Sequence, residues 1–229
     1  MQRKTKIILI SVILLILAAL VYYGETKIIP TSSHLLADNE NGTVEKVIYG
    51  NVSANKTIAL ITGIHPREKL AMDPEIEAAK QWVSENDDVK VINYKVNVTK
   101  DPDDYKKGRV QGESLVHNFV NPDVTSSDAD CVIISHSHIE SYGEGFYLAT
   151  PEMDNRSVEI GETIGNTSDF NYYPTTGNET YKSTSAVLVS KPIARAGYPT
   201  FVYEIPEDIT EWDSTSKTKE LFNLLMNYI

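Results

Sequence analysis

The sequence predicts an α/β domain, a mixed and largely parallel sheet flanked by helices, preceded by one N-terminal transmembrane helix. Three observations predict it. Short β-rich apolar runs alternate with stretches of helical spacing from residue 43 to 229, the pattern that builds parallel sheets. Two of those runs, 57–62 and 131–135, are continuously apolar or small, as strands covered on both faces must be. And the first 23 residues read as a membrane segment and not as part of any domain.

That segment opens with Arg3, Lys4 and Lys6, a basic tail at 1–6, followed by an uncharged apolar run at 7–23. A spanning helix needs roughly 20 such residues and tolerates about 17. Tyr22 and Tyr23 close the run where interfacial aromatics belong, and the basic flank stays cytoplasmic, placing everything after Tyr23 outside the cell membrane. A cleaved signal peptide is the rival reading. The run is long for that, and it ends in Val21-Tyr22-Tyr23 without a small-x-small cleavage site. Residues 24–42 are polar, with Pro30, Thr31-Ser32-Ser33 and Asn39 to Gly42, and read as a stalk before a single hydrolase domain at 43–229.

Within that domain, 44–49 and 57–62 read as strands, and 75–83 as a helix with Ile76, Ala79 and Val83 on one face. A strand follows at 89–98, a buried one at 131–135 and a neighbour at 145–149. Segments 183–196 and 216–228 read as helices around a strand at 200–205.

Charge and composition narrow the partners. A net charge of −11 argues against nucleic acid, whose binding requires neutralising phosphates. Seven Asn-x-Ser/Thr sequons, at Asn41, Asn51, Asn55, Asn97, Asn155, Asn166 and Asn178, suit a glycosylated, exported surface. Cys131 is the only cysteine, so no intrachain disulfide forms, and its apolar setting makes it a core thiol.

In parallel sheets, ligands bind beyond the carboxyl ends of strands. Three predicted strands carry chemistry there: Gly63-Ile64-His65-Pro66-Arg67-Glu68 after the second, His136-Ser137-His138 after 131–135, and Glu204 within 200–205. His65 and Glu68, three residues apart on a loop entering a helix, can turn toward one point. A histidine from the 136–138 segment would complete the two-histidine, one-carboxylate set of catalytic zinc sites. His136 and His138 both remain candidates, because they point the same way in an extended segment. Glu204, a carboxylate among Phe201, Val202, Tyr203 and Ile205, is costly to bury unless used. Burial raises its pKa and suits it to general-base work.

These segments resemble the zinc carboxypeptidases and their deacylase relatives, the succinylglutamate desuccinylase/aspartoacylase group. Gly63 to Glu68 is similar to that superfamily's Gly-x-His-x-Arg-Glu signature, Ile134-Ser135-His136-Ser137 to its strand-end His-Ser, and Thr200 to Glu204 to its late Phe-Thr-x-Glu strand. The likeness spans roughly 56 to 207 and keeps the order of the three motifs. It implies one zinc ion held by His65, Glu68 and His136, in preference to His138, with Glu204 as the base. It further implies a substrate-facing Arg67, an oxyanion-stabilising Arg109, an Asn118 at the substrate and a mobile tyrosine at Tyr181. The superfamily's Asn-Arg pair appears here as His117-Asn118-Phe119, without the arginine that grips a free carboxylate. The expected activity is amide hydrolysis of a peptide or cell-wall peptide. An N-acyl-amino-acid or ester deacylase is the alternative, and a non-catalytic surface-binding ectodomain the third reading.

Overall fold

A computed structural model of the chain describes residues 11–15, 32–174 and 183–229. The apolar run 7–23 lies outside the described residues except for 11–15, which are helical. Among the described residues no helix is long and apolar enough to cross a membrane.

Among the described residues eight strands form one sheet: β1 (Ser32–Asn39), β2 (Gly42–Gly50), β3 (Lys56–Thr62), β4 (Val89–Val98), β5 (Cys131–His138), β6 (Tyr147–Thr150), β7 (Asn171–Pro174) and β8 (Thr200–Pro206). Their order is β1-β2-β4-β3-β5-β8-β6-β7. The central four, β4, β3, β5 and β8, run parallel, while β1 and β2 join at one edge and β6 at the other in antiparallel register. The stalk reading for 24–42 is therefore corrected from Ser32 onward. Ser32–Asn39 pairs backbone to backbone with β2, and a polar strand can do so at a sheet edge, where most of its side chains face water.

Among the described residues six helices pack on the sheet: α1 (Asp73–Glu85), α2 (Tyr105–Leu115), α3 (Asn121–Val124), α4 (Asn155–Thr167), α5 (Lys191–Arg195) and α6 (Glu211–Leu225). Alternation along the buried strands separates two cores. Ile58, Leu60, Cys131 and Ile133 face α1, α4 and α6, meeting Trp82, Ile164 and Phe222. Ala59, Ile61, Val132 and Ile134 face the other way, onto Val116, Val120, Val189 and Ile193. Cys131 is fully buried, as expected, and burial pushes its thiol up to about 12.

Both helical segments of the second layer contain a π turn, Val116–Val120 and Ala186–Ser190, each running into an X-Pro step, Asn121-Pro122 and Lys191-Pro192. A proline has no N–H to donate and crowds the carbonyl four residues back, so the helix widens by one residue before it. The two turns lock together through Leu188 O, which accepts from Asn121 Nδ2 at 2.9 Å and His117 Nδ1 at 3.0 Å.

The connectivity places the site. From β3 the chain crosses through α1 to β4 on one side. From β4 it returns through α2 and α3, on the opposite face, to β5 on the other side of β3. The crossovers diverge at β3 and β5, so a crevice opens at their carboxyl ends.

One buried acid lies behind that crevice. Glu75, in the first turn of α1, is fully buried, and among the described residues neither carboxyl oxygen has a hydrogen-bond partner. Burial raises its pKa from 4.5 to about 8, against a smaller opposing pull from the Ser135 hydroxyl, which lies beside it without bonding geometry. A folded-state value above the unfolded one means that unfolding releases a proton between those limits, so stability falls as pH rises through that window. Glu75→Gln removes this titration. Urea melts at pH 5 and pH 8 should show wild type losing roughly 3 kcal/mol relative to the variant over that interval. Parallel pH profiles would show that Glu75 stays ionised in the fold.

A candidate metal centre in the crevice

β3 ends at Gly63, whose φ of 76° turns the chain sharply; a side chain there would meet Val96 O at 2.2 Å. The turn delivers His65, and the following 3₁₀ turn (Lys69–Ala71) leaves Glu68 at its start. His136 comes from β5, on the face of Val132 and Ile134. Glu204 comes from β8, directly opposite His136 in the parallel register.

The ligand atoms of His65, Glu68 and His136 lie within 4.8 Å of one another. Glu68 is the hub: its Oε1 meets His65 Nδ1 and its Oε2 meets His136 Nδ1, both at 2.8 Å. Burial opposes ionisation of this carboxyl, but His136 and His65 beside it hold it well below the usual carboxylate range. Two imidazole Nδ1 atoms and a carboxylate converging at a strand-end crevice can hold a metal ion. His138 stays outside this group: its Nε2 donates to Gly145 O at 2.9 Å, and its ring packs 5.1 Å from that of Tyr147.

Each imidazole has a partner at its other nitrogen. Glu113 Oε1 lies 3.3 Å from His65 Nε2, and Ser185 Oγ lies 3.4 Å from His136 Nε2. Such contacts orient metal-binding imidazoles and fix their tautomer. Glu113 is not among the residues picked from sequence. It is buried on α2, one turn beyond Arg109, and burial's upward pull on its pKa is outweighed by the bonds from His65 and Thr184. The sequence cue is the spacing of four from Arg109, legible only once 105–115 is recognised as a helix. That helix begins at Asp104, which accepts from the backbone N–H groups of Lys106 and Lys107.

Arg109 therefore stands on a helix. Its Nη1 donates to Glu68 Oε1 at 2.8 Å. Gly112 allows α2 to come this close, since a Cβ there would fall 1.7 Å from Ile64 O. Gly112→Ala must push the helix off the His65 loop, carrying Arg109 and Glu113 with it. A loss of about 1–3 kcal/mol in a urea melt, together with weakened metal affinity, is the expected result. Unchanged values for both would mean that α2 has room to spare.

Glu204 is buried, and that burial, with Glu68 and Glu207 adding to it, raises its pKa to about 7 against the opposing pull of His136 and Arg109. A cleft of about 360 Å³ opens over the cluster, lined in part by Arg67, Tyr105, Tyr142, Ser185, Glu204 and Glu207.

No family model matches the sequence, and no curated protein matches it. Solved structures do. A metallo-carboxypeptidase from Burkholderia cenocepacia superimposes with a TM-score of 0.60, over 92% of this chain and 68% of its own, at 13% identity. One from Pseudomonas aeruginosa, in complex with (2-guanidinoethylmercapto)succinic acid, gives 0.52 over 92% and 66%, also at 13%. The fold is that of the metallo-carboxypeptidases. A cell shape determinant protein from Helicobacter pylori shares it, with a TM-score of 0.52 over 80% of this chain and 54% of its own, at 10% identity. This chain thus spans about two thirds of the length of each of these metallo-carboxypeptidases.

Within the metallo-carboxypeptidase fold, the remaining expected site residues fare unequally. Arg67 lines the cleft, its guanidinium 5.9 Å from the Tyr105 ring, while Arg109 stands 5.4 Å from the same ring. Asn118 does not reach the cleft. Its π turn directs it outward, and its Nδ2 donates back to Ser114 O at 2.8 Å. Tyr181 lies outside the described residues.

Proposed function

We propose that the chain is a membrane-anchored, extracytoplasmic, zinc-dependent amide hydrolase of the metallocarboxypeptidase type, acting on peptides or cell-wall peptide material. The observation that carries the reading is the convergence of His65 Nδ1, Glu68 and His136 Nδ1 in one cleft with the buried carboxylate of Glu204. Zinc suits two imidazoles and a carboxylate, and when bound it supplies Lewis acidity, polarising a carbonyl and acidifying water. Glu204 takes the proton of the attacking water and passes it to the departing amine. Arg109 has one N–H on Glu68 and others to offer the oxyanion as it develops. The run 7–23 supports the anchor, and the exposed Asn51, Asn97, Asn155 and Asn166 support glycosylation.

A second reading, deacylation of N-acyl amino acids or esters, is favoured by one feature. Asn118 is turned out of the cleft, and no arginine accompanies it to grip a free C-terminal carboxylate. Zinc-loaded protein assayed on a blocked peptide, a free-carboxylate peptide and an N-acyl amino acid separates the two. Chelator-sensitive cleavage of the peptides carries the first reading. Cleavage of the acyl amino acid alone carries the second, and no cleavage leaves the surface-binding ectodomain.

A further inference from the structure

The acids around the cleft differ in what holds them. Glu68 is engaged by Arg109 and two histidines, Asp104 caps α2 and pairs with Lys107, and Glu204 is buried on its strand. Glu207, three residues beyond Glu204, is exposed, lines the cleft and meets no lysine or arginine among the described residues. It is nonetheless held in place: Ser137 Oγ donates to its Oε1 at 3.1 Å, and its own backbone N–H donates to His138 O at 2.9 Å. Among the described residues the arginines of the cleft lie elsewhere, with Arg67 and Arg109 flanking the Tyr105 ring. The cleft is therefore electrically divided, and the arginine that would hold a substrate carboxylate beside Asn118 is missing.

We propose that Glu207 is a subsite that selects substrates carrying an ammonium group, either the α-amine of a short peptide or a side-chain amine. The inference rests on the amide-hydrolase reading and names the charge its substrate carries. A fixed carboxylate that meets no lysine or arginine among the described residues, at the wall of a cleft that must align a substrate, is completed by a cationic donor.

The test uses zinc-loaded full chain and three peptides of one sequence containing a lysine: one with a free α-amine and acetylated lysine, one with the reverse, and one acetylated at both. Wild type should cut one of the first two at least tenfold faster than the third, about the worth of one charge-assisted hydrogen bond, and the faster one identifies the amine. In Glu207→Gln the ratio should collapse toward unity, and in Glu207→Lys a succinylated peptide should become the preferred one. Circular dichroism and zinc content check that both variants are folded. Dissociation constants of the same peptides on zinc-loaded Glu204→Gln give the binding ratio without turnover. Failure to cut any peptide would sink the peptide-hydrolase reading, while the binding ratio would still decide the subsite. Wild type indifferent to acetylation, or a preference retained in Glu207→Gln, overturns the proposal.

Discussion

Glu204→Gln should lower kcat/KM on any substrate the wild type cleaves by roughly two to four orders of magnitude, the range that positioned general bases supply. The substitution keeps the side chain's volume and one acceptor oxygen, so β8 and its register with His136 should survive. What it removes is proton acceptance. Because burial raises the Glu204 pKa to about 7, the wild-type profile carries its own signature. The base works ionised, so activity falls on the acid side as Glu204 takes up a proton, at a pH that a zinc ion beside it moves below the metal-free value of about 7. The variant's residual activity should lack this limb, with zinc content unchanged at about one per chain. A fall of less than tenfold, or an acid limb that persists in Glu204→Gln, would remove Glu204 from the role of base and leave it a strand-end carboxylate.

What the sequence disclosed, and what it hid, follows from where each element's stabilisation comes from. Strands β3, β5 and β8 are covered by helices on both faces, so their composition alone marks them, and the polar residues after them stand out as exceptions. β1 is an edge strand stabilised by backbone pairing, and Ser32-Ser33-His34 carries no periodicity to read. Helix α2 contains two glycines in Tyr105–Leu115, one needed for close approach to Ile64 O, and glycine is what propensity counts against a helix. Its start was marked only by the cap at Asp104. The start of α6 is marked in the same way: Thr210 and Asp213 form a capping box that opens six residues before the apolar spacing becomes visible at 216. Glu113 was hidden for the same reason as α2, since without the helix there is no ground for placing it one turn from Arg109. His136 and His138 were indistinguishable by alternation. The loop after β5 separates them, by bringing Gly145 O to His138, and such a long-range contact has no local pattern.

That separation yields the second large effect, on metal content. Mass spectrometry of zinc-loaded protein should find about one ion per chain in the wild type and close to none in His65→Ala or His136→Ala, each of which removes one of the three proposed ligands. His138→Ala should keep its zinc, because that ring is spent on Gly145 O and packing against Tyr147. Glu113→Ala should be intermediate, weakening affinity about 10–100-fold while leaving stoichiometry intact at saturating metal, as loss of an imidazole's outer partner does. The graded outcome is the discriminating part. If the ion were held by the general negative charge of the cleft, any of the four substitutions would have a similar, small effect, and adding salt would weaken binding as much as removing a histidine. If His138 were the third ligand, its ring would first have to leave Gly145 O, and His138→Ala, not His136→Ala, would empty the site. Zinc lost in the first two variants, kept in the third and loosened in the fourth is the pattern that only the Nδ1–carboxylate–Nδ1 arrangement around Glu68 produces.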